Sequence, residues 1–421
     1  MPTTLPWGES LTVLMELGFP VNEFTLDSAT LGVLDDDYLD GTLLGDDVSA
    51  LVKSISITRG RSDQLQQFTA GTCSIVLNNN DRRFDPINES SPYWNPLTNK
   101  SGVTPRRKVT VKLGTETIFQ GRITDIDLSY ATGKTSDLSD VIINSADDFV
   151  LLANTATEAD LTPSTELSGA RLTYLLALPE VNYSDPTNID TGTATLGNYV
   201  IPANSNVLSY AQDIAEAEQG LFFIARDGTL TFTDRVSAAF ASSVADFSDD
   251  AGTGIHYQAL SVLYGQEFLY NKVVTTVQGG TPQVADDVAS QTEYGISTLT
   301  LSDLLLSTDG AALTLANDLL DLYKEPTYRF DNMVVLVSGQ SAGDRTTLNQ
   351  LELGDTITVE RNYQGGTPAT VSRYQTVERM TRLLTPNFHR LEVAMSDAYI
   401  LYPFTLDDAT FGVMDSNNAL T

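Results

Sequence analysis

The feature that most constrains this chain is an early, regular alternation of apolar and polar residues. Ile55 and Ile57 alternate with polar residues, and Cys73, Ile75 and Leu77 repeat the pattern further on. A period of two places successive side chains on opposite faces of a strand. The run Asn-Asn-Asn-Asp that follows ends the second strand, because Asn and Asp side chains bond to their own backbone. The stretch therefore predicts two half-buried β-strands.

Five stretches of different character follow one another. With 421 residues the chain is long enough for about three domains. Two stretches alternate like antiparallel β domains, and the stretch between them contains helical periods. The predicted division is an N-terminal arm at 1–50, a first β domain at 51–155, a helix-plus-hairpin middle domain at 156–255, a second β domain at 256–398 and a C-terminal arm at 399–421.

Local signals in the first β domain and the middle domain are specific enough to test. The apolar phase slips by one residue near Thr124, which predicts a β-bulge there. An apolar stripe from residue 207 to 215 predicts a helix with Ser205 as N-cap and Gly220 as C-cap. Directly after it, Asp227-Gly228 between two apolar runs predicts a β-hairpin.

The second β domain contains one predicted helix among strands. Apolar residues from 312 to 323 recur at helical spacing, and Glu325-Pro326 closes the stripe. The remaining signals predict strands at 272–277, 333–337, 357–359, 374–383 and 391–395.

The order of these motifs resembles the hub proteins of phage tail tips, also called minor tail or baseplate hub proteins, of long-tailed, siphovirus-like phages. Their first domain is matched by strand, polar loop, strand and then N-N-x-D-x-R-F-D-P at residues 78–86. A helix followed by a strand–DG–strand hairpin is similar to their middle domain, and Leu351 to Val359 resembles their second barrel. The resemblance covers residues 50–398.

This resemblance implies an α+β fold, mainly antiparallel β. Two tail-tube-like β-barrel or sandwich domains would flank a helix-containing middle domain, with extended terminal arms. It also implies a homotrimer whose six tube-like domains join a three-fold tip to the six-fold tail tube. The expected role is a structural virion protein of the tail tip, assembled in the bacterial host cytoplasm and active in DNA ejection. Its expected partners are the distal tail ring protein, the tape measure protein and tip or fibre proteins.

Charge limits what else the protein binds. The net charge is −31, from 55 acidic and 24 basic residues. Wrapping nucleic acid requires Lys and Arg to replace counterions, and an anionic membrane surface also attracts basic segments. An acidic channel lining would repel phosphate, so phage DNA would pass through without sequence-specific binding. No membrane anchoring is expected, because no signal peptide and no apolar run of spanning length is present.

The sequence offers little for catalysis, so we expect no enzyme and no cofactor. Cys73 is the single cysteine, which excludes an internal disulfide, and its apolar phase predicts a buried thiol. His256 and His389 are the only histidines, and neither stands in a zinc-binding spacing. No nucleophile elbow, phosphate-binding loop or dinucleotide fingerprint occurs.

A run of aspartates near the N-terminus invites a calcium interpretation that its spacing argues against. If Asp35 and Asp37 take the first and third positions of an EF-hand loop, Asp40 falls where glycine is required. We therefore predict a solvated acidic turn and no metal site.

Two nearly identical motifs occur at opposite ends of the chain. FTLDSATLGVLD at 24–35 and FTLDDATFGVMD at 404–415 share nine of twelve positions. In a trimer they give six copies, which would suit six equivalent sites on a six-fold ring through strand addition. Packing of the two ends on each other or on their own domain is the alternative. The predicted anchors are Phe24, Leu26, Leu31, Val33, Phe404, Leu406, Phe411 and Val413.

Basic residues are scarce, so their clusters are candidate contacts. Arg82 and Arg83 follow the second strand, and a further cluster occupies residues 106–108. These side chains would face either solvent or acidic groups of a neighbouring subunit.

Three other functions remain open at this point. One is the hexameric distal tail ring protein, although two tube-like domains argue against it. Another is a receptor-binding adhesin, which would need an aromatic-rich groove for sugar. The last is a peptidoglycan hydrolase, for which we find no catalytic residues.

Overall fold

A 15-stranded β-sheet, mostly antiparallel, carries the fold. The computed structural model describes residues 3–17, 45–96, 98–130, 139–239, 242–250 and 252–398, and the backbone of Tyr402–Pro403 and Asn418–Ala419. Strands dominate, and seven α-helices occur within these ranges. The predicted α+β class with mainly antiparallel strands is confirmed at this level.

The first β section is an antiparallel sheet in the order β1-β2-β8-β9-β10-β5-β4. Its inward residues follow the period of two, so every second side chain of β5 and β8 is buried. The strands of this section are β1 Thr3–Thr4, β2 Ser10–Met15, β3 Asp46–Asp47, β4 Val52–Gly60, β5 Thr69–Asn78, β6 Trp94–Asn95, β7 Lys100–Ser101, β8 Lys108–Leu113, β9 Glu116–Ser129 and β10 Asp140–Ala146.

The described part of the predicted N-terminal arm belongs to this sheet. Strand β2 pairs with β8, and its Leu11, Val13 and Met15 are buried in the section's core. Residues 3–17 therefore form part of the β section and do not extend away from it as an arm. The first motif copy, including Phe24, lies outside the described residues.

The predicted bulge is present in β9. Asp125 lies opposite Asn144, whereas Ile123 lies opposite Ser145, so Thr124 has no partner in the register. An extra residue on one strand bends it and increases its twist. The one-residue phase slip in the sequence therefore identifies a real irregularity of the sheet.

The middle section packs short helices beside small sheets, and its last two strands join the main sheet. In chain order its elements are α1 Phe149–Ala153, β11 Glu166–Leu167, α2 Ser168–Leu176, β12 Thr187–Ile189, β13 Thr195–Leu196, α3 Val207–Glu218, β14 Leu221–Ile224, β15 Leu230–Thr233, α4 Arg235–Ala239, β16 Asp246–Ser248 and β17 Ile255–His256. Strands β14 and β15 form the hairpin predicted from Asp227-Gly228.

Both predicted caps of α3 are wrong by one residue. Asn206 is the N-cap, because its side-chain oxygen accepts a hydrogen bond from the Ser209 N–H at 3.0 Å. Ser205 instead donates to the Pro202 carbonyl at 2.7 Å. The left-handed residue at the other end is Gln219, with φ of +55°, and Gly220 follows it.

The second β section is built around a long central strand, β24. Its elements are β18 Ala259–Tyr264, β19 Lys272–Val277, β20 Gln283–Asp286, α5 Val288–Tyr294, β21 Thr298–Leu304, α6 Asp309–Tyr323, β22 Tyr328–Leu336, α7 Ala342–Gln350, β23 Thr356–Asn362, β24 Thr370–Thr385 and β25 Phe388–Asp397. Beyond it, β26 Tyr402–Pro403 pairs in parallel with β27 Asn418–Ala419.

Two hydrophobic cores support this architecture. One contains the buried residues of the first β section, from Leu5 to Ile143, together with Leu384. The other is shared by the middle section and the second β section, and it also includes Phe68 from the first section. Among the described residues no helix has the length and apolar character of a membrane span.

Candidate functional site: the junction between the two β sections

The two β sections become one sheet where β4 pairs with β24. Residues 55–60 lie opposite residues 379–384 in antiparallel register. Leu384 reaches from β24 into the first core. At the end of β4, Gly60 has φ of +114°, and a Cβ on it would lie 2.2 Å from the Glu378 carbonyl oxygen. The junction is therefore a continuous backbone contact with no room for a side chain at that position.

A buried ionic network crosses the junction. Arg59 on β4 donates to the Glu352 carboxylate at 2.5 Å and to the Ile224 carbonyl at 2.8 Å. The other oxygen of Glu352 accepts from the Arg226 backbone N–H at 2.7 Å. Arg226 in turn donates to the Thr117 carbonyl at 2.7 Å. Glu352 thus holds together the first section, the hairpin of the middle section and the second section.

A cavity of about 400 Å³ lies beside this network, lined by Arg226, Glu352 and Asp355. The Asp355 carboxylate accepts a hydrogen bond from the Glu352 N–H at 2.7 Å. Burial raises the pKa of Asp355 to about 6, and the neighbouring Glu352 carboxylate adds to the increase. The junction therefore contains an acid that titrates near neutral pH.

A second buried arginine lies on β24. The Arg382 guanidinium donates to the Leu348 carbonyl at 2.6 Å and lies 3.5 Å from Nε2 of His389. Burial, and then the nearby Arg59, lower the pKa of Arg382 to about 10. Burial and the charge of Arg382 lower the pKa of His389 well below its usual value. His389 is therefore a neutral, fully buried side chain of the junction.

The first section is also attached to the middle section by a separate polar cluster. Arg122 donates to Asp148 and to Asp185, both at 2.8 Å. Lys108 reaches the same Asp185 carboxylate at 2.6 Å. Two basic side chains of β8 and β9 thus converge on Asp185 of the middle section, which places Lys108 of the predicted basic cluster in an internal contact.

Arg82 and Arg83 pair with acids of their own loop. Arg82 binds Asp85 at 2.5 Å, and Arg83 binds Asp81 at 2.6 Å. Their side chains are 51% and 36% exposed. The exposed surface leaves both available to a neighbouring subunit, so their interface role stays a prediction.

The other predicted interface residues lie outside the described part of the chain. These are Phe24, Leu26, Leu31 and Val33 in the first motif copy and Phe404, Leu406, Phe411 and Val413 in the second. The aspartate run at 35–40 also lies there.

The candidate reactive side chains have different surroundings. Cys73 is 1% exposed in the first core, and burial raises the pKa of its thiol far above the usual value. His389 lies against Arg382, and His256 is an exposed residue stacked against Tyr257. Within the described ranges no group of three or more His, Cys, Asp or Glu side chains is placed to hold a metal ion.

An open groove of about 590 Å³ lies between the edge strand β18 and β23. Tyr328 and Tyr363 touch through their hydroxyl groups, and the Arg361 guanidinium lies 5.6 Å from the Tyr363 ring centre. Tyr257 lines the same groove, but it is 3% exposed and its hydroxyl donates to the Glu360 carbonyl at 2.9 Å. The tyrosines therefore mainly make contacts within the groove wall and present little open ring face on which a sugar could stack.

Sequence alternation contained a signal for the junction that motif searching missed. Arg59 continues the inward phase of Ile55 and Ile57, and Arg382 lies between the inward Met380 and Leu384. An arginine in the apolar phase of a strand needs a buried partner, because an unpaired buried charge is costly.

The fold is similar to solved structures of phage tail proteins, although no protein-family model and no curated protein matches the sequence. The tail protein from Neisseria meningitidis MC58 aligns with a TM-score of 0.58 and 12% identity, over 93% of this chain and 98% of that chain. The 43 kDa tail protein of prophage MuSo2 from Shewanella oneidensis gives a TM-score of 0.54 and 11% identity, over 92% and 98%. The predicted resemblance to phage tail proteins is confirmed at the level of the fold.

Proposed function

We propose that the chain is a structural protein of a phage tail, and more specifically the trimeric hub of the tail tip. The observation that carries the proposal is the fold shared over 93% of this chain and 98% of the Neisseria tail protein. A similarity that spans both chains concerns the arrangement of all sections and not one common domain. The proposed location is the tail tip of the virion, after assembly in the host cytoplasm.

Two β sections per chain support the hub geometry. Each has its own set of buried strand residues, and among the described strands of the main sheet they meet through β4 and β24. We propose 51–155, with β2 added, and 256–398 as the tube-like units, 156–255 as the middle domain, and 18–44 and 399–421 as arms. Three chains would then present six tube-like units to the six-fold tail tube.

The junction supports this role because a hub must fix the angle between its two units. Neighbouring strands of a sheet are twisted relative to one another over a range of angles. The Arg59–Glu352–Arg226 network adds a fixed contact, because it joins three sections at one carboxylate. A buried ion pair adds little net stability compared with apolar packing, and in some proteins such pairs specify one arrangement of the structure. We propose that this network sets the relative orientation of the two units.

The trimer is tested by the mass of the purified chain in solution, alone and mixed with the distal ring protein of the same phage. We expect three copies per particle, measured by light scattering after size exclusion. A chain that stays monomeric while it binds the ring would refute the trimeric hub. A hexamer would support the distal ring alternative instead.

We further propose that the two motif copies dock on the distal ring, with Phe24 and Phe404 as anchors. Deleting residues 399–421 should weaken ring binding and leave the trimer intact, as measured by sedimentation of the mixture. The matched control replaces Asp286, an exposed residue of β20, by Asn. Ring binding that survives the deletion unchanged would contradict this part of the proposal. Arg82→Ala and Arg83→Ala test the second predicted contact in the same assay.

The remaining partners follow from the hub position. The tape measure protein and phage DNA would occupy the channel, and the tip or fibre proteins would attach to the opposite face. The net charge of −31 supports a channel wall that does not retain DNA. A receptor-binding adhesin is the alternative of another class, and specific hits on a glycan array that are lost in Tyr363→Ala would favour it.

A further inference from the structure

A large cleft lies beside Ala398, at the end of the second β section. It has a volume of about 780 Å³ and lies between α6, the start of β14, the middle of β24 and the end of β25. Its apolar wall includes Leu221, Leu315, Leu319, Leu322 and Val236. Leu322 and Val236 are 45% and 40% exposed, which makes this a solvent-facing apolar surface.

The charged groups of the cleft are paired with one another. At its base Arg61 donates to Glu378 at 2.5 Å, and the Ser396 hydroxyl donates to the same carboxylate at 2.5 Å. At its rim Lys324 pairs with Asp321 at 2.8 Å. Because these charged residues already have partners, none of them is left to bind a charged ligand. The cleft therefore suits an apolar occupant.

The chain itself supplies such an occupant. Ser396 and Ala398 line the cleft, so the C-terminal segment leaves the second β section at its edge. The next five residues, 399–403, read Tyr-Ile-Leu-Tyr-Pro and carry no charge, in a chain whose net charge is −31. We infer that this segment, Tyr399–Pro403, folds back onto its own chain and fills the cleft.

The length and the backbone conformation of the segment agree with its placement in the cleft. Five extended residues span roughly 17 Å, whereas Leu315 and Leu322 are separated by roughly 10 Å along α6. The described backbone of Tyr402–Pro403 is extended and pairs with Asn418–Ala419. A short tether also gives the chain's own segment a high effective concentration at the cleft, which favours it over a segment of a second copy.

The consequence concerns the second motif copy. Residues 404–415 begin directly after the inferred anchor, and Tyr402–Pro403 is paired with residues that follow the motif. Burial of the anchor would therefore fix the point from which this copy projects. The inference concerns the chain's own packing and does not depend on the proposed tail function.

The direct test is a cysteine pair. The full-length variant Leu322→Cys/Leu401→Cys should form a disulfide within one chain under mild oxidation, seen as an unchanged mass in non-reducing electrophoresis with both thiols protected from alkylation. Cys73 does not interfere, because it is fully buried. The matched control is Leu313→Cys/Leu401→Cys, since Leu313 is exposed on the opposite side of α6 and does not line the cleft. A disulfide between chains, no disulfide, or equal reaction of the control would overturn the inference.

Two truncations give an independent readout. A chain ending at Pro403 keeps the anchor and should match the full-length protein in thermal unfolding and in binding of an apolar fluorescent dye. A chain ending at Ala398 should bind more dye and unfold at a Tm lower by about 3 °C. Identical behaviour of the two truncated chains would contradict the inference, whichever result the tail-docking assay gives.

Discussion

At the residue scale, the junction depends on arginines in positions where strand alternation usually places apolar side chains. The alternation of β4 correctly predicts that Ile55 and Ile57 are buried, and the same rule puts Arg59 inward. The sequence does not reveal its partner, because Glu352 lies 293 positions away. Local pattern thus predicts which face a residue occupies, whereas the contact that makes burial of its charge tolerable comes from tertiary structure.

Asp355 provides a residue-scale prediction about pH. Its pKa is raised to about 6 by burial, whereas an Asp in the unfolded chain titrates near 4. The folded protein therefore holds this proton more tightly, and the resulting stability is present below about pH 4 and is lost as the pH rises through 6. Asp355→Asn cannot ionise and keeps an oxygen for the Glu352 N–H. We expect the variant to be more stable than the parent at pH 8 by about 1–2 kcal/mol.

Urea unfolding at pH 4 and pH 8 measures this difference. At pH 4 the two proteins should have similar midpoints, and at pH 8 the variant should have the higher one. Asp286→Asn is the control, because that residue is exposed on β20. A variant less stable than the parent at pH 8 would show that the ionised form of Asp355 is the stabilising one.

At the element scale, α6 was predictable, but the expectation of a single helix in the second β domain was wrong, because the structure also contains α5 and α7. The ends of the predicted elements were not predictable either. The stripe at 312–323 predicted α6, which in fact starts at Asp309 because Thr308 caps it by accepting from the Ala311 N–H at 3.2 Å. Strand β24 extends beyond the predicted 374–383 in both directions. Its added ends pair with β23 and β25, so the partners and not the local sequence set its length.

Gly60 allows an element-scale prediction at the junction. A Cβ there would lie 2.2 Å from the Glu378 carbonyl oxygen, and the φ of +114° is unfavourable for any other residue. Gly60→Ala must push β4 and β24 apart, so we expect it to lower the free energy of unfolding by about 2–4 kcal/mol.

A second glycine distinguishes the two causes of that loss, which are the clash of the added Cβ and the strain of a positive φ. Gly114 also has a positive φ of +59°, but a Cβ added to it would have no atom within 4 Å. Gly114→Ala therefore carries the conformational strain alone and should cost about 1 kcal/mol. Equal losses for the two variants, measured by urea unfolding, would mean that contact between β4 and β24 contributes nothing.

At the scale of the whole molecule, the local pattern does not predict how the sections join. Alternation and helical stripes predict a β section, a helical section and a second β section, and that division stays a prediction. Nothing in the local pattern predicts that β4 pairs with β24, because the two strands are more than three hundred positions apart and each suits many partners. For the same reason the sequence did not predict that the middle section and the second β section share one core.

This union leads to a prediction about cooperativity. Both tryptophans, Trp7 and Trp94, belong to the first β section, so their fluorescence reports its unfolding alone. Circular dichroism reports the strands and helices of the whole chain. Because sheet pairing and the Arg59–Glu352 network join the sections, we expect the two signals to give one coincident urea transition.

One substitution distinguishes the contribution of the ionic network from that of the sheet pairing. Glu352→Gln removes the charge that holds Arg59 and should separate the two signals, with the fluorescence change occurring first. The control Asp286→Asn, at an exposed position, should leave the fluorescence and circular dichroism transitions coincident. Two separated transitions in the unmodified protein would mean that the sections fold independently, and the junction would then be too weak to set their relative orientation in a hub.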